Sequence, residues 1–177
     1  DLIVRIYNFK IYGSIQKNKT SYFLLKKCEF GDYHELNTIK KLSKKGKLLF
    51  IDCGCNYGFY SLYTASLSEK NEIISIEASK NTLEEFKKNL KLNNLKNVNF
   101  FNNAVSNIVG ENVLFHESIN DWESSQTHKN FKISSELTVD SITIDSLLKE
   151  YFLDDYNLVI KLDIEGNEIN AIKGALE

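Results

Sequence analysis

Apolar residues along the chain form short continuous runs, separated by segments in which apolar positions recur with helical spacing. The run Leu48–Asp52 is apolar throughout and stops at an acid beside a glycine turn, which predicts a buried strand. Glu72–Glu77, Val98–Phe101 and Leu158–Leu162 have the same short apolar character and predict three further strands. Strand-like patterns also occur in a less regular region after Gly110, at Val113–His116 and Leu137–Ile144.

Helical periodicity follows several of these strands. After the first strand, one helix face is formed by Phe59, Leu62, Tyr63, Ser66 and Leu67. After the second, Leu83, Phe86 and Leu90 share a face, and Asn81 with Glu84 predicts a capping box. Ile169, Ile172 and Leu176 predict a last helix, which the chain end cuts off. This alternation predicts an α/β fold with a Rossmann-like, doubly wound, mainly parallel sheet and right-handed crossovers.

The first 46 residues have a different pattern. A strand pair is predicted at Val4–Tyr12 and Tyr22–Lys27, followed by a helix at Glu35–Leu42. We therefore predict an N-terminal lead-in or cap segment over residues 1–46 and a main domain over residues 47–177. The polar, serine-containing stretch Asn120–Asn130 predicts a surface loop.

Length and composition limit the classes of function. With 177 residues the chain fits one domain, and its net charge of −2 gives no reason to expect a nucleic-acid or anionic-membrane partner. Apolar runs are too short to cross a bilayer, and the odd number of cysteines, 3, favours a reducing, cytoplasmic setting. Methionine is absent, which predicts that the chain is a segment of a longer protein.

Acids stand at the ends of three predicted strands: Asp52, Glu77 and Asp163. Ligands of doubly wound sheets bind at the carboxyl ends of the strands, so these acids are expected to lie at one edge. Glu77 follows Gly58 by 19 residues, the separation at which the second strand delivers an acid to a ribose. A solvated acid at a strand end is the plainer alternative.

The glycine turn itself discriminates between cofactors. A dinucleotide fingerprint that ends at Gly58 would place Cys53 and Cys55 at its first two glycine positions. Both side chains stand where a diphosphate needs bare backbone, and Asp52 would repel it. An acid before the turn suits a ligand with a cationic amine, such as the methionine part of S-adenosylmethionine.

Four segments together resemble the FkbM family of S-adenosylmethionine-dependent methyltransferases. Asp52-Cys53-Gly54-Cys55-Asn56-Tyr57-Gly58 resembles its first motif, and Lys161–Glu168 (KLDIEGNE) resembles its hallmark Lys-x-Asp-x-Glu-Gly-x-Glu. Ile76–Ser79 resembles the ribose-binding strand end and Asn103–Ser106 the end of the third strand. The resemblance covers about residues 29–177 and departs from the family at Cys53, at Cys55 and at Ala78-Ser79, which lacks the family's proline.

The resemblance implies the class I methyltransferase fold, here truncated at the C-terminus because the family has further strands after the last helix. It implies S-adenosylmethionine as cofactor, with Glu77 at the ribose and with Asn103 and Ala104 near the adenine. The full set of expected cofactor residues is Asp52, Gly54, Asn56, Gly58, Tyr60, Ser61, Glu77, Ala78, Asn103 and Ala104. Candidate bases for methyl transfer to a hydroxyl are Asp163, Glu165 and His128.

We therefore expect a methyltransferase that acts on a hydroxyl of a sugar, a glycan or another small molecule. A non-catalytic ligand-binding domain of the same fold is one alternative, and an NAD(P)-dependent oxidoreductase is another. No metal site is expected, because Cys53 and Cys55 lack ligand partners and are better explained as buried small hydrophobic residues. The loop with Trp122, Ser124 and Ser125 either covers the active site or is an ordinary surface loop.

Overall fold

The structure, a computed structural model, describes residues 2–13, 32–118 and 133–176 of the chain. In chain order its elements are β1 (Leu2–Ile6), β2 (Phe9–Gly13), α1 (Tyr33–Lys45), β3 (Leu48–Cys53), α2 (Phe59–Leu67), β4 (Glu72–Ile76), α3 (Lys80–Asn93), β5 (Val98–Phe101), β6 (Ala104–Val105), β7 (Asn112–Ser118), β8 (Ile133–Ile142), α4 (Ile144–Leu148), a 3₁₀ turn (Leu153–Asp155), β9 (Asn157–Leu162) and α5 (Glu168–Lys173).

A four-stranded parallel sheet forms the centre of the fold, in the order β5-β4-β3-β9. All six residues of β3 are buried, which explains why this strand is almost wholly apolar. In its register, Asp52 lies opposite Ser75 on β4 and Lys161 on β9. The sheet confirms the four parallel strands predicted from the sequence.

Both faces of this sheet are covered. Alternate residues of β3 enter two separate cores, with Phe50 on one side and Ile51 on the other. Phe50 packs in a cluster that includes residues of the β1–β2 hairpin, α1, α2 and α3. Ile51 packs with Ile144 of α4 and Ala171 of α5. Coverage of both faces confirms the doubly wound arrangement.

A second sheet, ordered β6-β8-β7, follows the third parallel strand. Its β7 and β8 form the antiparallel pair that the sequence predicted as strands. The predicted end of the later strand at Ile144 was wrong: β8 ends at Ile142, and Ile144 begins α4. Thr143 separates the two elements because its side chain accepts a hydrogen bond from the Ser146 N–H and caps the helix.

The N-terminal segment also differs from the prediction. Val4–Tyr12 is not one strand but part of a hairpin of β1 and β2 that turns at Tyr7, where φ is 50°. Tyr22–Lys27 lies outside the described residues, whereas the predicted helix is confirmed and extends over Tyr33–Lys45. The Tyr12 N–H donates to Asn89 Oδ1 of α3 at 2.9 Å, so the hairpin packs on the main sheet's own helix layer. The domain boundary at residue 46 stays a prediction.

Two predicted helix features were wrong. Ser79, not Asn81, caps α3, because its hydroxyl accepts from the Thr82 N–H at 3.3 Å. The last helix is not cut off by the chain end, since α5 ends at Lys173 and Gly174 follows it. Within α5 the buried side chain is Ala171, whereas the predicted apolar residues Ile169 and Ile172 are exposed.

Among residues 2–13, 32–118 and 133–176, none of the helices combines the length and apolar character that a bilayer span requires.

Candidate functional site

A cleft lies beyond the carboxyl ends of β3, β4 and β9, where ligands of doubly wound sheets bind. Among the residues expected at the cofactor, six line this cleft: Gly54, Asn56, Glu77, Ala78, Asn103 and Ala104. Two of the candidate bases, Asp163 and Glu165, line it as well. Topology therefore brings segments more than 100 residues apart in the sequence to one site.

Glu77 is the carboxylate most deeply set in the cleft wall, with a relative exposure of 8%. Its Oε2 accepts the Asn56 N–H at 2.9 Å, and its Oε1 accepts the Ser79 N–H at 2.9 Å. Burial raises the pKa of Glu77, and these two backbone hydrogen bonds limit the rise. Each carboxylate oxygen has a further lone pair, so the group can still accept hydroxyl donors from a ligand.

The glycine turn after β3 is built by backbone contacts. The N–H groups of Gly54 and Cys55 both donate to the Ile76 carbonyl, at 2.9 and 3.0 Å. Gly54 has φ +75°, and a Cβ there would lie 2.0 Å from the Asp163 carbonyl oxygen. Glycine is thus required at this position by the approach of another part of the chain, in addition to any ligand.

Gly58 has a similar constraint but no place in the cleft wall. Its φ is +83°, and a Cβ would lie 1.9 Å from the Phe86 ring of α3. The expectation that Gly58 surrounds a ligand therefore has no support from the cleft lining, whereas its packing role is direct.

Asp52 lies behind the cleft, fully buried, and its carboxylate is engaged by protein groups. Oδ2 accepts the Ser61 hydroxyl at 2.6 Å, and Oδ1 lies 3.2 Å from Lys161 Nζ. The Ser61 hydroxyl is also 2.8 Å from that of Ser75 on β4. Asp52 and Ser61, both expected at the cofactor, thus form a buried polar cluster beneath the site.

Lys161 lies among the site's charged residues, although sequence reasoning gave it no role there. Its ammonium lies 3.2 Å from Asp52 Oδ1 and 3.5 Å from Asp163 Oδ2, and it donates to the Gly54 carbonyl at 3.2 Å. Burial alone would lower the pKa of Lys161, but the two carboxylates raise it above its usual value. Two signals were available: Lys161 begins the Lys161–Glu168 motif, and it is a lysine inside the apolar run of β9, opposite Asp52 in the parallel register.

Tyr60 lies next to this lysine and outside the cleft lining. Its hydroxyl donates to Asp32 Oδ2 at 2.5 Å, and its ring centroid is 5.4 Å from Lys161 Nζ. Burial and the hydrogen bond to Asp32 raise the pKa of Tyr60. The residue therefore connects the start of α1 to the buried charges beneath the cleft.

The two candidate bases project from the loop after β9. The Asp163 side chain is 66% exposed, and Glu165 is exposed with φ 51°. Glu168 stabilises this loop, because its carboxylate accepts the N–H groups of Ile164 and Gly166. Both carboxylates line the cleft, within reach of a substrate bound there.

Further cleft residues were not among the expected site residues, although Ser79 belongs to the Ile76–Ser79 motif. Ser79 and Thr82 contribute from the start of α3, and Phe115 contributes from β7. Phe115 gave no sequence signal, because its position depends on how the β7–β8 hairpin packs. His128, Trp122, Ser124 and Ser125 lie outside the described residues.

Cys53 and Cys55 are both buried, and they belong to opposite cores of the sheet. Burial, aided by the Asp52 charge, raises the pKa of Cys53 to about 12. The pKa of Cys55 is also raised, chiefly by burial. Both cysteines therefore act as small core residues, as the sequence predicted.

Comparison with known proteins gives one family match and several weaker similarities. The model of the methyltransferase FkbM domain matches residues 52–177. An uncharacterized protein of Methanocaldococcus jannaschii is 31% identical over 140 residues, which are 76% of this chain and 59% of that protein. The chain thus spans less than two thirds of the length of this curated relative.

Solved structures are similar over part of their length. A SAM-dependent methyltransferase from Agrobacterium tumefaciens has a TM-score of 0.46 and 14% identity, covering 58% of this chain and 32% of that chain. An rRNA methylase described as putative, from Clostridium thermocellum, has a TM-score of 0.37 and 20% identity, with 41% of each chain covered. An S-adenosylmethionine-dependent methyltransferase from Listeria monocytogenes, also described as putative, has a TM-score of 0.34 and 25% identity. The match covers 47% of this chain and 36% of that chain.

Proposed function

The chain belongs to the FkbM methyltransferase family, and from that premise we propose that it binds S-adenosylmethionine and methylates a hydroxyl group of a sugar, a glycan or another small molecule. One observation carries the proposal. A nearly buried carboxylate, Glu77, lies in the wall of a cleft at the strand ends, beside a glycine turn whose backbone it holds.

The residues of the cleft fit the proposed cofactor. Glu77 has lone pairs left for the two ribose hydroxyls, and such charge-assisted hydrogen bonds contribute about 1.5–3 kcal/mol each. Ala78, Asn103 and Ala104 would hold the adenine side, where small side chains leave room. Gly54 and Asn56 would lie beside the methionine part. Asp52 would act on this part only indirectly, because it is buried behind the cleft.

The charge of the cleft also agrees with a cationic ligand. Carboxylates of Glu77, Asp163 and Glu165 line it, so a sulfonium and an α-amine would meet negative charge. Bound S-adenosylmethionine would supply an electrophilic methyl group, which the acceptor oxygen takes as the carbon–sulfur bond breaks and S-adenosylhomocysteine leaves. Asp163 or Glu165 would take the hydroxyl proton of the acceptor; His128 stays a third candidate base.

Calorimetry with S-adenosylhomocysteine and, separately, with NAD tests the cofactor. We expect binding of the homocysteine analogue and a loss of about 3–6 kcal/mol in binding free energy for Glu77→Ala, because this variant removes both proposed ribose hydrogen bonds. Glu84→Ala on the exposed face of α3 is the matched control and should leave binding unchanged. Binding of NAD in place of the analogue would overturn the proposal in favour of an oxidoreductase.

The acceptor class is tested by mass spectrometry after incubation with S-adenosylmethionine and a panel of sugars and hydroxylated small molecules. We expect one methyl group on an oxygen of a panel member, with release of S-adenosylhomocysteine. Tight binding of the analogue without methylation of any hydroxyl compound would favour the ligand-binding alternative.

A further inference from the structure

Lys161 joins three parts of the chain that meet beneath the cleft. Asp52 belongs to the end of β3, Gly54 to the turn after it, and Asp163 to the loop after β9. The Lys161 ammonium contacts all three, at 3.2, 3.2 and 3.5 Å. We propose that Lys161 is a positioning residue of the cofactor site, whose ammonium clamps the glycine turn to Asp163 and neutralises the buried Asp52 carboxylate.

Burial gives the Asp52 carboxylate a strong need for a compensating positive charge. Asp52 is fully buried, and the Lys161 side chain is only 18% exposed. A buried carboxylate is strongly destabilising unless a partner compensates its charge. Ser61 gives Asp52 one hydrogen bond, but the compensating positive charge comes from Lys161.

Lys161 acts through other residues and does not itself line the cleft. Gly54 and Asp163 do line it, and both are held by the ammonium. The Gly54 backbone also packs against the Asp163 carbonyl, so the two segments are in direct contact. Loss of the ammonium would leave this arrangement without its charged link.

The charge of Lys161 also acts on Glu77, the residue proposed to bind the ribose hydroxyls. Some titratable groups contact the ammonium and others interact with it only through charge. Together they are Asp52, Asp163, Glu77, Cys53, Cys55 and Tyr60. Burial raises the pKa of Glu77, and Lys161 acts in the opposite sense. Removing the lysine charge would therefore make Glu77 harder to ionise.

The test compares Lys161→Met, Lys161→Arg and the double variant Asp52→Asn/Lys161→Met. The double variant removes both buried charges, so it is expected to fold even if Lys161→Met alone does not. Lys88→Met, on the exposed face of α3, is the matched control for loss of a lysine. Two quantities are measured: the affinity for S-adenosylhomocysteine between pH 5 and 8, and the titration of the Glu77 carboxyl carbon by NMR in the ligand-free protein.

This inference rests on the proposed function for its binding readout, whereas the NMR titration is independent of it. We expect the folded methionine variants to bind the analogue roughly tenfold more weakly or worse, the equivalent of one lost charge-assisted contact. The Glu77 titration should lie at higher pH in Lys161→Met than in the original chain. It should also lie at higher pH in the double variant than in the single variant Asp52→Asn, which is measured as the reference. Lys161→Arg should restore much of both properties, and Lys88→Met should match the original chain.

Each outcome is decisive. Equal affinity and an unchanged Glu77 titration in the variants would overturn the positioning role while the proposed function stands. Failure of the original chain to bind the analogue would overturn the proposed function, and the Glu77 titration would still decide the electrostatic part of this inference. A uniform loss of affinity at every pH, with Glu77 titrating as before and no rescue by arginine, would indicate a merely structural lysine.

Discussion

Gly54 and Asp163 are in backbone contact across the floor of the cleft: a Cβ on Gly54 would lie 2.0 Å from the Asp163 carbonyl oxygen. The glycine of the first motif and the aspartate of the last are therefore parts of one packed structure. The glycine turn that indicated a ligand site in the sequence is shaped by the protein as well as by any ligand.

Gly54→Ala should be much more destabilising than Gly110→Ala. Both glycines have φ +75°, but nothing lies within 4 Å of a Cβ on Gly110. Gly110→Ala should cost about 1–2 kcal/mol for left-handed backbone strain, and Gly54→Ala should cost more because backbone atoms must move. Urea denaturation measures both. Equal losses would show that the contact between Gly54 and Asp163 is not tight in solution.

Ser79→Ala should destabilise the chain by about 1 kcal/mol, the usual effect of losing an N-cap. Asn81→Ala is the matched control and should have little effect, because Asn81 is exposed within the first turn of α3. Thermal or urea unfolding distinguishes the two. A larger effect at Asn81 than at Ser79 would restore the capping box that the sequence predicted.

The central sheet was predictable because its strands can be recognised from their own sequence segments. Leu48–Cys53 is buried on both faces, and such strands are recognisable as continuous apolar runs. The β1–β2 hairpin was missed because its turn has no comparable signal in the sequence. It turns at Tyr7, with φ 50° and no glycine or proline to mark the turn.

The site was predictable to the extent that its residues stand at strand ends. Glu77 and Asp163 line the cleft because parallel strands share an edge, and that follows from sequence pattern. Lys161 was missed because its importance depends on two partners, Asp52 and Asp163, one of which belongs to another strand. Burial of a lysine is a tertiary fact, whereas the sequence shows its position in an apolar run and at the start of the Lys161–Glu168 motif.

Cys53 and Cys55 should resist alkylation in the native chain at pH 8. Burial raises the pKa of Cys53 to about 12 and raises that of Cys55, so little reactive thiolate forms, and both side chains are inaccessible. Iodoacetamide treatment with peptide mapping by mass spectrometry measures this. The same reaction in urea should label both residues and serves as the control. Rapid labelling of either cysteine under native conditions would contradict the buried placement.

The stability of the chain should depend on pH through Glu77 with an unusual sign. Burial raises the pKa of Glu77 in the folded state above its ordinary value of 4.5, so the native state binds more protons than the unfolded state just above that pH. Its contribution is therefore fully present below pH 4.5 and is lost as the pH rises through the folded-state pKa.

Comparison with Glu77→Gln isolates this contribution. As the pH rises, the unfolding free energy of the original chain should fall relative to that of the variant. Glu84→Gln is the matched control of opposite sign. The side-chain hydrogen bond with Lys87 lowers the pKa of Glu84, so its contribution should be lost as the pH falls. Urea unfolding from pH 3 to 7 measures both trends, because the Glu84 contribution is lost below pH 4.5 and the Glu77 contribution above it. If both glutamates gave the same direction of change, the burial of Glu77 in the cleft wall would be wrong, and with it the main support for a ribose-binding carboxylate.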